Sequence, residues 1–423
     1  MLNRSPEWFI PPATDQNTQG LHVRFIESLL RYSRRWKALS LSHLPAHALA
    51  PFNRLTSEDL PLLEEFRDPG MLSNNFISPG MTANDIQYSS FISTVGNLPS
   101  LRNLRISFRG EFDLPPQFEW SRLTVLHIRF SRSPGSFDSL SSLQRISQLC
   151  PLLAECTLSL RYPVAGAEPA QETSRIESQE WRSLQKLDLS LTGPGSTSFA
   201  YYISTLFRSI TIPALKHLSL FVKCHQFHTQ APNDPPSPRP IHVDQAIEDL
   251  VLRSQCELAR LDLTIPSWDN LGMTLDVLPS LTTFNVDPSF STVFPAELPI
   301  GTSSFETIFQ ALMPSAGSIR CPKLEKLSIN RCLTQNAVDL VDLADARART
   351  TPLQVLRARF GMLSVGNIRT LKSVLESGKS KGLGRKIQCE FTRQNPADYF
   401  DDPYPFAGGL EIGSEVLSGE LGG

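Results

Sequence analysis

Apolar positions along this chain recur in one phrase: leucine, two residues, leucine, one residue, then leucine or isoleucine. It reads Leu101-x-x-Leu104-x-Ile106, Leu123-x-x-Leu126-x-Ile128, Leu184-x-x-Leu187-x-Leu189 and Leu215-x-x-Leu218-x-Leu220. It returns as Leu258-x-x-Leu261-x-Leu263 and Leu324-x-x-Leu327-x-Ile329, with looser copies from Trp36, Leu63, Leu153, Leu281 and Leu353. A phrase restated every roughly 20 to 45 residues marks a stack of structural units that bury their apolar faces against one another.

The segments between the phrases predict the rest of the unit. Phe199, Tyr202, Ile203, Leu206 and Ile210 keep the spacing of one helix face, as do Leu140, Leu143, Ile146 and Leu149 after a Ser136 or Asp138 cap. Val243, Ile247, Leu250 and Val251 form another such face, and Phe305, Ile308, Phe309 and Leu312 a fourth. Proline stands two residues ahead of the anchor leucine at Pro61, Pro99, Pro151, Pro213, Pro279 and Pro322. A proline there is expected to stop an incoming helix and release the chain into a strand. Strands alternating with helices imply right-handed crossovers between parallel strands.

The expected fold is therefore α/β: an irregular leucine-rich-repeat solenoid with a parallel sheet on one face and helices on the other, over residues 21–393. The anchors' spacing is uneven, from 22 residues (101 to 123) to 43 (215 to 258). The proline-rich insertion 229–241, with PNDPPSPRP at 232–240, is expected to be an exposed polyproline-like loop. A last helix is expected near 366–377 and a closing strand around Lys386–Thr392. Residues 1–20 are expected to be a flexible segment, and 394–423 an acidic, disordered tail.

Composition narrows the classes. The net charge is −2 and the pI about 6.5, which does not favour a nucleic-acid groove or an anionic membrane surface. Seven cysteines, none in a C-x-x-C pair, read as reduced thiols. The first twenty residues carry no apolar signal region, and no stretch reaches the about 18 apolar residues of a membrane span. A cytoplasmic or nuclear protein is the expectation.

Catalytic and cofactor signatures are incomplete in this chain. Gly378-Lys379-Ser380 resembles the end of a phosphate loop, but Ser373 stands where G-x-x-x-x-G-K-[ST] needs glycine. Cys224, His225, His228 and His242 lie close in sequence without the two spaced ligand pairs of structural zinc. Neither G-x-S-x-G nor H-E-x-x-H occurs. Asp398, Asp401 and Asp402 fall in the acidic tail, and Arg31, Arg34, Arg35 and Lys37 read as a solvated helix face. Ser237-Pro238 offers a short motif for a proline-directed kinase or a polyproline reader. The expectation is a non-enzyme without cofactor or metal.

Side chains alternate along a strand, so residues between the inward leucines form a ladder across the repeats. The ladder residues singled out as a partner-binding surface are Arg105, His127, Arg129, Asp188, Phe221, Asp262, Asp287, Asn330, Arg357 and Arg359. Basic ends and an acidic middle would select a complementary protein surface. On that reading, lysine in place of Asp188 and Asp262 abolishes capture.

Arg34-Arg35-Trp36-Lys37-Ala38-Leu39-Ser40-Leu41, followed by Leu60-Pro61-Leu62-Leu63-Glu64, resembles the start of the leucine-rich region of fungal F-box proteins. The Cys150-Pro151-Leu152-Leu153 and Cys321-Pro322-Lys323-Leu324 steps are similar to the same family, as is Leu324-x-x-Leu327-x-Ile329-x-x-Cys332. The resemblance implies the substrate-recognition part of an adaptor for a cullin–RING ubiquitin ligase. The partners implied are a protein substrate and, if an F-box exists upstream, the ligase's adaptor subunit. Met1–Gly20 shows no F-box pattern, so no F-box residue is carried over. The alternative is a stand-alone repeat scaffold unrelated to ubiquitination.

Overall fold

The computed structural model describes residues 16–41, 46–67, 91, 93–109, 118–132, 139–161, 179–194, 197–225, 243–265, 270–288, 303–314, 319–332, 336–360, 373 and 387–391. The chain divides into two compact units, Met1–Leu158 and Ser159–Gly423.

The first unit opens with helix α1 (Gln16–Leu30), followed by strands β1 (Ala38–Ser40), β2 (Glu65–Arg67), β3 (Asn103–Arg109) and β4 (Val125–Arg132). Helix α2 (Ser139–Leu149) and strand β5 (Glu155–Arg161) bring the chain to the unit's border. β1 to β4 pair in parallel in chain order, and β5 lies next to β4.

The second unit contains β6 (Gln179–Glu180), β7 (Lys186–Pro194), α3 (Thr197–Arg208), β8 (Ile210–Thr211) and β9 (His217–His225). It continues with α4 (Val243–Ser254), β10 (Arg260–Ile265), α5 (Leu271–Asp276), β11 (Thr283–Pro288) and α6 (Ser303–Leu312). β12 (Lys326–Cys332), α7 (Ala337–Thr350), β13 (Val355–Phe360) and β14 (Ile387–Phe391) complete it. Here β7, β9, β10, β11, β12, β13 and β14 pair in parallel in that order, while β6 and β8 form a small pair of their own. Neighbouring helices touch: α3 on α4, α4 on α5, α5 on α6 and α6 on α7. The fold class is α/β, built on a large parallel sheet.

Each anchor of the apolar phrase, loose copies included, precedes a strand that starts two residues later. Leu101 leads into Asn103, Leu258 into Arg260, and even Trp36 into Ala38. The cause is a shared entry. In the residue before most of these strands, one carbonyl accepts two successive N–H groups from the next repeat. Glu64 O takes Arg102 and Asn103, Lys216 O takes Ala259 and Arg260, and Thr282 O takes Glu325 and Lys326. The anchor and the two apolar residues after it are buried in nearly every copy, so a register slip of one residue would turn the whole set outward.

The strand follows each proline as expected, and helices end just ahead of Pro151 and Pro279, but the prolines also build turns. Each occupies the second position of a β-turn whose closing N–H belongs to the anchor leucine. Leu63 N donates to Leu60 O, Leu153 N to Cys150 O, Leu215 N to Ile212 O, Leu281 N to Leu278 O and Leu324 N to Cys321 O. Proline's fixed φ suits that position, and its missing N–H costs nothing there. The residue ahead of the proline, among them Cys150 and Cys321, is buried and forms one more rung of the core. Pro213 shows the difference plainly, because β8 and not a helix runs into it.

Of the expected helices, those at 139–149, 243–254 and 303–312 are present. The helix from Phe199 ends at Arg208, and Ile210 belongs to β8, where Ile210 pairs with Gln179. Apolar spacing carried across the helix end because both elements bury the same side. Apart from position 373, the helix near 366–377 lies outside the described residues, as do the 229–241 insertion, the 394–423 tail, Ser136 and Asp138. β14 falls within the expected closing strand.

In the first unit, aromatic rings extend the leucine core: Phe52 and Phe66 each meet Phe91, at 5.5 and 5.8 Å, and Phe118 stacks on Trp120 at 4.8 Å. The Phe118 ring lies against Gly96 and leaves no room there for a Cβ.

Candidate functional site

Pleating turns alternate residues of each strand away from the leucines, and the register sets them in rows. In the first unit one row is Arg67, Arg105 and His127, with Arg129 one step further along, opposite Ser107. Arg67 and Arg129 are exposed, and Arg105 and His127 are half-buried. Glu65 pairs with Arg67 and lies 4.0 Å from Arg105. Burial, then repulsion from Arg67, lowers the Arg105 guanidinium below its ordinary value, while Glu65 and Glu155 pull the other way. This row can receive an anionic group.

In the second unit one row reads Asp188, Ser219, Asp262, Asn285, Ser328 and Arg357. A parallel row holds Ser190, Phe221, Thr264 and Asp287. Asn330 reaches Asp287 Oδ2 at 3.5 Å, and Arg359 stands on β13 opposite Glu390 of β14. The sequence-chosen residues of this unit therefore share two neighbouring rows.

Their environment is more buried than a partner-binding ladder needs. Asp188, Ser190, Asp262, Thr264, Asp287 and Asn330 are buried, whereas Arg357 and Arg359 are exposed. The aspartates are also engaged from within. Lys186 Nζ lies 3.3 Å from Asp188, two residues along the same strand. Asp262, only 2% exposed, accepts from Arg260 Nε at 3.0 Å and from Asn285 Nδ2 at 2.5 Å, and His217 Nε2 lies 2.9 Å away. Burial pushes the Asp262 carboxyl up, but the hydrogen bonds and charge of His217 and Arg260 outweigh it and hold it below its usual value. Lys186, His217 and Arg260 thus form a first row that neutralises the aspartates of the second. The sequence reading missed it, although the same two-residue alternation carried one step back toward the anchor finds it.

This compensation changes what the surface can do. Asp188 and Asp262 are engaged within the sheet, and the exposed charges of the ladder are Arg129, Arg357 and Arg359. Thr264 Oγ1 and Asn330 Oδ1 are buried without a hydrogen-bond partner, which leaves polar capacity on the second unit's sheet face.

Two thiols fall within the turns described above. Burial pushes Cys150 and Cys321 up to about 12. Both should resist iodoacetamide at pH 8 in the folded chain and react once it is denatured, as peptide mass mapping would show. Labelling of either in the folded chain at the rate of a small thiol would contradict the burial.

Gly378-Lys379-Ser380, His228, His242, Asp398, Asp401, Asp402, Ser237 and Pro238 lie outside the described residues. Among the described residues, no three His, Cys, Asp or Glu side chains are grouped as metal ligands, and no helix is long and apolar enough to cross a membrane.

Fold and site together define an α/β protein whose parallel strands carry rows of polar side chains opposite a leucine core. No protein-family profile matches the chain, and no curated protein is significantly similar to it.

Proposed function

We propose that this chain is a non-catalytic protein-interaction module, a leucine-rich-repeat solenoid that forms the substrate-recognition part of an F-box-type adaptor for a cullin–RING ubiquitin ligase. The observation that carries the reading is the common entry of the strands: every anchor sets its strand two residues on, and successive repeats thereby line up polar side chains in fixed rows. Rigid rows presented by a repeated backbone suit recognition of an extended protein surface better than chemistry on a small molecule. Arg105, His127 and Arg129 in the first unit, and Arg357 and Arg359 in the second, supply the charge that would choose an acidic substrate segment. The adaptor role rests on the resemblance of Arg34–Leu41 and of the proline-led anchors to fungal F-box proteins.

The test is co-purification of the full-length native protein with the ligase's adaptor subunit and with ubiquitinated substrates. Glutamate at Arg105 and Arg129, or at Arg357 and Arg359, should leave the fold intact and release the substrate. Substrate release without any adaptor association would support the stand-alone scaffold instead. Unchanged capture by both folded variants would remove the ladder from the binding surface.

A further inference from the structure

The first unit carries an apolar stripe that faces water. On α1, Leu21, Phe25 and Leu29 follow one another four residues apart, and Tyr32 continues them in the turn where its N–H meets Leu29 O at 2.9 Å. They are 63, 61, 40 and 58% exposed. The helix has already used its other side: Ile26 is buried, Val23 and Leu30 are half-buried, and α1 touches the 3₁₀ segment Ala46–Arg54. At about 100° per residue, Leu21 to Leu29 span an arc of roughly 80°. Arg24 and Arg31 fall along one border of that arc, and Arg34, Arg35 and Lys37 follow beyond its end, all exposed. Glu27 is paired with Arg54 at 3.5 Å.

We infer that this stripe is the docking face for an amphipathic helix of a protein partner, with apolar residues at intervals of three and four and Asp or Glu along its flank. Charge selects this occupant. An antiparallel second copy of α1 would set Arg24 and Arg31 against their own kind, and a parallel copy would set them against a border that carries no carboxylate, so neither self-pairing answers their charge. Arginines beside an apolar seam instead match carboxylates on the incoming helix. Width argues against a lipid surface, because an arc of roughly 80° is a helix–helix seam and narrower than the face of over about 100° that broad apolar burial uses. The inference goes beyond the sheet reading and stands or falls without it.

The experiment selects, on the full chain, from a displayed library of single-helix peptides randomised at their exposed positions. Enriched peptides should carry Leu or Phe at three- and four-residue intervals and an excess of Asp and Glu. Phe25→Ser should weaken them on the order of tenfold or more, as loss of a central aromatic anchor does. The double variant Arg24→Glu, Arg31→Glu should reject them and accept the same peptides with lysine flanks. Arg105→Glu and Arg357→Glu should bind them like the parent chain, which separates this face from the sheet. Thermal unfolding at the parent's midpoint shows that each variant is folded. No enrichment, enrichment without acidic bias, equal binding to Phe25→Ser, flotation with vesicles containing phosphatidylserine, or a concentration-dependent dimer in sedimentation would each overturn the inference.

Discussion

Replacing Arg347 by methionine is expected to destabilise the second unit by about 2 to 4 kcal/mol, the worth of two to three charge-assisted hydrogen bonds less the relief of desolvating a cation. Arg347 lies on α7 and is 0% exposed, the most deeply buried charge among the described residues. Among the described residues no carboxylate pairs with it there. Its Nε donates to Leu312 O at 2.7 Å and its Nη1 to Arg320 O at 2.7 Å and Cys321 O at 3.4 Å. Leu312 ends α6, so the guanidinium supplies what the orphan carbonyls and the negative pole of that helix lack. Burial is the leading influence on the group and lowers it from its ordinary value. Methionine keeps the stem's packing and removes the donors, so urea unfolding would read the polar loss alone. An unchanged midpoint would mean that the cost of burying the cation cancels its bonds. Arg253 repeats the device on α4, donating to Ile210 O at 2.7 Å and to Phe207 O. It is half-buried, so Arg253→Met should cost less, about 1 kcal/mol.

Lysine at Asp262 should be worse still. It would set an ammonium where Arg260 and Asn285 now donate, and like charges about 4 Å apart cost about 4 kcal/mol at a near-surface dielectric. Expected is a loss of more than about 4 kcal/mol, or failure to fold, with Asp262→Asn losing about 1 to 3 kcal/mol. Lost capture by the lysine variant would therefore report a broken sheet and not a missing partner contact. The pH dependence gives a second check. The folded carboxyl titrates below its unfolded value of about 3.9, so its stabilisation is complete above roughly pH 4 and is lost as pH falls through the folded value. The stability difference between the parent chain and Asp262→Asn should shrink below pH 4. A difference that stays constant down to pH 2 would show that the carboxylate's charge is not what matters.

Much of this was legible one residue at a time. Leu218-x-Leu220 and Leu261-x-Leu263 announce strands with their inner and outer faces, because burial follows a two-residue period. The α4 and α6 faces were legible for the same reason at a period of 3.6. The prolines could be located but not interpreted: whether Pro151 stops a helix or opens a turn depends on whether Leu153 N finds Cys150 O. Nothing in the sequence around Arg347 marks that charge as buried, because its acceptors, the carbonyls of Leu312, Arg320 and Cys321, lie 26 to 35 residues away. Likewise, Leu21, Phe25 and Leu29 have the composition of a core, and only the placement of the segment Ala46–Arg54 decides that Ile26 is inside and they are not.

By itself, then, the sequence determined the repeated phrase, the start of every strand that an anchor leads and the leucine core, since each follows from apolar spacing within a few neighbouring residues. The tertiary structure alone decided which charges are answered within the sheet. Asp262 is answered by His217, Arg260 and Asn285, and three separate repeats must be in register before that carboxylate is neutralised. Local patterns act over one element. Charge compensation acts between elements, and a chain shows it only once it is folded.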